Sequence, residues 1–215
     1  MRYPNAYTGV SQIYRAELIA IIAFCCIGIG AILTIFGVGV ADVGNQAAGA
    51  GFAITGGVFA LAYVVLRIVS YVMNIVGVFN AAHDEGGFND AKIAIIAGIV
   101  AAIVPAIFAE NAALNLICLL VSRVCDILVF WFCIGGIGNL ADKLNDQVIS
   151  DKADSFIKRI VGIYIVGIVL SIIGTFVTAG GFLDGLIVVA SAACSIIAFL
   201  SYLSLLSGAK NMLAR

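Results

Sequence analysis

The sequence is short of charge. Its 215 residues include 11 lysines and arginines and 12 aspartates and glutamates, 11% charged in all, against about 25% in an ordinary soluble domain. A formal net charge of −1 excludes both a basic nucleic-acid-binding surface and an acidic solvating segment. With two prolines in the chain, a Pro-rich disordered tail is excluded too. A single histidine rules out an H-E-x-x-H site, and no nucleophile-elbow serine, phosphate-cradling loop or pair of intramembrane aspartates is present. These absences point away from an enzyme, a resident cofactor, a metal centre and a nucleic-acid partner.

What the sequence has instead is apolar residues, 63% of the total. They gather in runs near 16–40, 51–79, 91–109, 112–139, 156–179 and 182–208. A bilayer-crossing helix needs roughly 20 apolar residues, so six would occupy roughly 130 positions and leave no separate soluble domain. Runs longer than about 18 residues favour helices over strands, and a barrel would alternate. The fold class is therefore all-α: a polytopic membrane protein with six transmembrane helices in a single integral domain spanning 1–215, with the lipid bilayer as its first partner. The stretch Leu18–Val40 is too long for a signal-peptide core and no small-residue cleavage site follows, so it reads as a retained span. Cys25, Cys26, Cys118, Cys125, Cys133 and Cys194 all fall within apolar runs without a C-x-x-C pair, and read as small buried hydrophobes.

Orientation follows from the cations. Nine of the eleven, namely Arg2, Arg15, Lys92, Lys143, Lys152, Lys158, Arg159, Lys210 and Arg215, lie at the termini, in the second and fourth connections, or at adjoining helix ends. The other connections carry only Asp42, Glu110 and Asp184. The positive-inside rule then places both termini in the cytoplasm, giving a multi-pass, N-in/C-in protein of the cell membrane. Very short outward connections, Glu110-Asn111 and Ala179-Gly180-Gly181, make consecutive helices antiparallel hairpins. On the cytoplasmic side, Leu140, Leu144 and Val148 share one helical face, so helix 4 is expected to continue, with Ser150 or Asp151 capping the next helix. Asp84-Glu85-Gly86-Gly87 marks a turn, with Asn89 or Asp90 as the N-cap after it. His83 reads as a solvated helix end and Arg15–Glu17 as an interfacial charge pair.

The end of helix 2 (SYVMNIVGVFNAA) aligns without a gap on the end of helix 6 (SYLSLLSGAKNML), matching Ser70 to Ser201, Tyr71 to Tyr202, Gly77 to Gly208 and Asn80 to Asn211. Helix 4 fits the same frame, with Gly136 on Gly77 and Asn139 on Asn80. Three repeat units, 1–87, 88–150 and 151–215, are suggested, each a hairpin inserted in the same sense, as in parallel-repeat transporters. Small residues four apart, Ala53 with Gly57 and Gly98 with Ala102, permit close helix contact.

Arg67 in helix 2 and Arg123 with Asp126 in helix 4 put charge at mid-membrane, at a cost of about 2.5–3.5 kcal/mol each. Arg123 and Asp126 are three apart on one helix face, and in the repeat frame Asp126 takes the position of Arg67. A network of Arg67, Asp126 and Arg123, with Asn74, Ser70 and Tyr71 around it, is the candidate substrate or ion pathway. Its surplus positive charge suits an anionic solute or a proton-coupled step. The expected function is binding or transport of a small solute or ion. The alternative is a non-catalytic partner subunit or scaffold, docking another protein through its cytoplasmic face, especially Leu140–Arg159.

Overall fold

The computed structural model describes residues 2–42, 46–107, 112–159 and 182–215. Almost all of these are helical, and there is no strand among them. The helices are α1 (Pro4–Asp42), α2 (Gln46–Ala81), α3 (Gly86–Ile107), α4 (Ala112–Lys143), α5 (described over 147–159) and α6 (Phe182–Leu213). Four segments, Pro4–Val40, Gln46–Ala81, Gly86–Pro105 and Leu120–Lys143, are long and apolar enough to cross a membrane. Most of the run expected at 156–179 lies outside the described residues, as do the connections at Glu110-Asn111 and 179–181. The side chains of α6 are described from Ile197 onward.

The helices overrun their apolar stretches. α1 has 39 residues and extends about 58 Å, nearly twice the about 30 Å of a hydrocarbon core. It starts at Pro4, well ahead of the run expected from residue 16, with proline at a first-turn position where its missing N–H costs nothing. Hydropathy misses this extension because it is amphipathic: Ala6, Val10, Ile13, Ala16 and Ala20 are buried at steps of three and four residues.

The chain divides into two units, Ser11–Gly77 and Met1–Val10 with Val78–Arg215. In the first, α1 and α2 run antiparallel, with Glu17 beside Asn74, Phe24 beside Tyr63 and Arg67, and Gly30 beside Gly56. Lipid is as apolar as leucine, so helices of this kind associate through close backbone approach rather than hydrophobic burial. A Cβ on Gly56 would lie 2.5 Å from Thr34 Oγ1 and 2.9 Å from the Gly30 carbonyl oxygen. The expected Ala53–Gly57 pair is therefore displaced: Gly57, one residue and about 100° around the helix from Gly56, faces open space. Outside this seam the apolar side chains are exposed, Ile35 at 72% and Leu61 at 69% among them.

In the second unit α3 and α4 are antiparallel, with Gly98 against Cys125 and Gly87 against Gly136. A Cβ on Gly87 would come within 2.9 Å of the Gly136 Cα, and one on Gly136 equally close to the ring of fully buried Phe88. The core continues through Ile134, Ile137 and Leu140 of α4, Ala153 and Phe156 of α5, and Leu205 and Leu206 of α6.

α4 does not run on into α5. It stops at Lys143, where the Asp146 N–H bonds the Ala141 carbonyl and the Asn145 N–H that of Asp142, at 2.9 and 3.1 Å. This is a Schellman ending, and it requires the left-handed conformation that Asn145 adopts at φ 55°. Asp146 then caps α5, its Oδ1 accepting the Ile149 N–H at 3.3 Å, in place of the expected Ser150 or Asp151. The break turns Val148 outward, 65% exposed, while Leu140 stays fully buried. α3 likewise starts at Gly86, ahead of Asn89 and Asp90, with the Glu85 carbonyl accepting the Phe88 N–H.

The seam yields a paired test. Gly56→Ala is expected to destabilise the protein by on the order of 1–3 kcal/mol, the usual cost of overpacking, and Gly57→Ala, at an open helical position, to hold or slightly raise the thermal midpoint. Thermal unfolding of both variants in mild detergent checks this.

Candidate functional site

Two buried carboxylates organise the polar chemistry of the described residues. Glu17, 7% exposed, sits immediately before the apolar stretch that begins at Leu18. Its Oε1 accepts a hydrogen bond from Asn74 Nδ2 at 3.1 Å, and the positive charge of Arg67 acts on the same carboxylate. Arg67 and Asn74 are two turns apart on one face of α2, as Glu17 and Phe24 are on α1. The register that pairs Glu17 with Asn74 therefore also places the Arg67 guanidinium 5.5 Å from the Phe24 ring centroid, a cation–π contact. A carboxylate offers about four acceptor positions. Asn74 occupies one, so the group has the capacity to take a proton or a cation as well.

This differs from the interfacial Arg15–Glu17 pair. Arg15 is exposed while Glu17 turns inward. The signal was present in the spacing, because Glu17 falls in step with buried Val10, Ile13 and Ala20. Of the residues singled out from the sequence, Arg67 and Asn74 come together at Glu17, and Ser70 is buried nearby on α2. Tyr71 is 55% exposed. Asp126 is exposed on α4, and the side chain of Arg123 lies outside the described part of the structure. Arg67, Tyr71 and Asn74 belong to the Ser11–Gly77 unit, Arg123 and Asp126 to the other.

The second buried carboxylate lies in the turn after α2. Asp84 caps the distant start of α1: its Oδ2 accepts the Ala6 N–H at 2.8 Å and its Oδ1 the Asn5 Nδ2 at 2.9 Å. The first satisfies a backbone donor that a first helical turn otherwise leaves open. Its neighbour Glu85, 7% exposed, accepts hydrogen bonds from Asn139 Nδ2 at 3.3 Å and from Lys143 Nζ, at the end of α4. Adjacent His83 is exposed, its Nδ1 3.0 Å from the Phe79 carbonyl oxygen. The sequence marks a turn here but not its long-range bonds, since partners 54 to 79 residues away leave no local pattern.

Among the described residues no three His, Cys, Asp or Glu side chains converge as a metal ion would require. Cys118, Cys125 and Cys133 are buried at steps of seven and eight along α4, and Cys25 is exposed. Repeat-related positions occupy unlike surroundings: Tyr202 is buried between Phe130 and Phe156, at centroid distances of 5.0 and 5.9 Å, whereas Tyr71 is exposed. No protein-family model, no curated protein and no solved structure matches this chain.

The Glu85–Lys143 pair is testable by a double-mutant cycle. Lys143→Met strands a buried carboxylate and Glu85→Gln removes the charge that the lysine meets, so each alone is expected to lower the thermal midpoint. The double variant should lose less than the two losses added together.

Proposed function

We propose that the chain is a non-catalytic integral protein of the cell membrane that binds or moves a small solute or ion. In this reading six transmembrane helices form three antiparallel hairpins, the units 1–87, 88–150 and 151–215, with both termini in the cytoplasm. The antiparallel seams of α1 with α2 and of α3 with α4 support the first two hairpins. The solute or ion pathway is assigned to Arg67, Asn74 and Tyr71, joined by Glu17, in the Ser11–Gly77 unit, and to Arg123 and Asp126 in the other unit. The observation that carries the proposal is the burial of Glu17 at the head of an apolar helix, bonded to Asn74 and within the field of Arg67. Ionisable groups in apolar helices are costly, and they mark ion or substrate pathways. Polar contacts between membrane helices contribute only about 0.6 kcal/mol on average, too little for stability alone to explain this investment in charge.

A thermal-shift screen of the purified protein against metabolites and ions, with mass spectrometry of whatever co-purifies, tests this. A ligand that binds the folded state raises its stability by about 2.7 kcal/mol at a hundred times its Kd. The expected result is such a shift in the wild type, reduced in Glu17→Gln and in Arg123→Gln. In a cysteine-free background, single cysteines flanking Arg67 should also react with a water-soluble reagent. No ligand and no labelling, together with a stoichiometric protein lost when Leu140–Arg159 is altered, would replace this reading with that of a partner subunit.

A further inference from the structure

α5 and α6 enclose an open groove of about 480 Å³. The two helices are held close by the missing side chain of Gly208, where a Cβ would lie 2.6 Å from Ile149 Cδ1, and by the stacking of Phe156 on Tyr202. α5 lines the groove with Lys152, Ser155, Phe156 and Arg159, at steps of three, one and three residues on one helical face. α6 contributes Ser201, Ser204 and Leu205. The floor is apolar, since Phe156 and Leu205 are buried, and the rim is cationic and hydroxylic. Ser201 donates its hydroxyl proton to the Ile197 carbonyl at 2.8 Å, so the donors that face a guest are Lys152, Arg159, Ser155 and Ser204. Asp151 stands at the lip and supplies an acceptor, which suits a guest carrying hydroxyl groups beside its negative charge.

We infer that this groove binds the phosphate of an anionic phospholipid headgroup, with Lys152 and Arg159 meeting the charge, Ser155 and Ser204 donating to its oxygens, and Phe156 and Leu205 lying under the glycerol and upper acyl chain. Two cations against one carboxylate leave a net attraction for an anion. The α5 wall of the groove closes the most basic connection of the chain, Lys143 to Arg159, and its α6 wall, Ser201 to Leu205, lies in the last two turns of the apolar run of that helix. Basic pockets between helices at the cytoplasmic surface are characteristic sites for anionic headgroups, and each lysine or arginine there adds measurably to affinity. The inference rests on the membrane-embedded part of the proposed function and is independent of its solute site.

The test is a titration of the detergent-solubilised full chain with phosphatidylglycerol, phosphatidylcholine or inorganic phosphate, read by thermal shift and by native mass spectrometry of retained lipid. Phosphatidylglycerol is expected to bind and stabilise the wild type, and phosphatidylcholine to do neither. The double variant Lys152→Gln/Arg159→Gln should weaken phosphatidylglycerol binding roughly tenfold to thirtyfold. Lys158→Gln, on the same helix but outside the groove, should bind as the wild type does, which separates loss of a site from loss of net charge. Glu17→Gln should likewise retain the lipid response, so that failure of the solute reading and failure of this one are told apart. Equal binding by the double variant and by Lys158→Gln, or equal binding of the two lipids, would overturn the inference. A matching shift with inorganic phosphate alone would overturn the lipid assignment in favour of a soluble phosphate.

Discussion

Asp84 and Glu85, in the four-residue turn 82–85, fasten helix ends that are far apart in sequence. Asp84 caps the first turn of α1 by accepting the Ala6 N–H and the Asn5 side-chain amide, and Glu85 receives Lys143 and Asn139 from the end of α4. The same turn ends α2 and starts α3, whose Phe88 then packs on Gly136 one helical turn before Asn139. Buried charge of this kind is costly unless partnered, and the partners here are helix termini that need them. Without Asp84 the Ala6 N–H at the start of α1 would be bare, and without Glu85 the Schellman ending that turns the chain from α4 into α5 would have no anchor alongside it.

Along the apolar lengths the constraint is different. Solvent gives apolar side chains no reason to leave lipid, so contact there depends on how closely backbones approach and on the few polar groups present. The α1–α2 seam uses both means: glycines at Gly30 and Gly56, and Glu17 with Asn74, about five helical turns further along α2. These features share one register. A change that separates the glycines also separates Glu17 from Asn74, so the geometry of the candidate solute site and the packing of the hairpin are the same property.

Much of the fold was legible in the sequence because long apolar runs have few structural solutions. Helix ends were not, since hydropathy measures what faces lipid and is silent about an amphipathic extension such as Pro4–Ala16, or about Asn145, whose left-handed backbone ends a helix that the spacing of Leu140, Leu144 and Val148 would continue. The candidate site was read in part. Arg67 and Asn74 stood out as polar groups in apolar surroundings, and they do converge. Glu17 was read as interfacial because its neighbour is arginine, although its step from Ile13 placed it on the buried stripe. Gly56 and Gly57 show the limit most plainly: adjacent identical residues give sequence spacing no means of choosing between them, and the choice is made by Thr34 and Gly30 on the other helix.

Helices whose middles expose apolar side chains and whose ends pack and bond imply that only the middles meet hydrocarbon. A spin-label depth profile along α1 in proteoliposomes tests this most directly, with nitroxides at the exposed positions Thr8, Ile29 and Ile35. Collision with oxygen should dominate at Ile29 and Ile35, and collision with a water-soluble nickel chelate at Thr8. Oxygen-dominated collision at all three sites would place the start of α1 in lipid and contradict the packed, water-side end. Chelate-dominated collision at all three would contradict membrane insertion of α1 altogether.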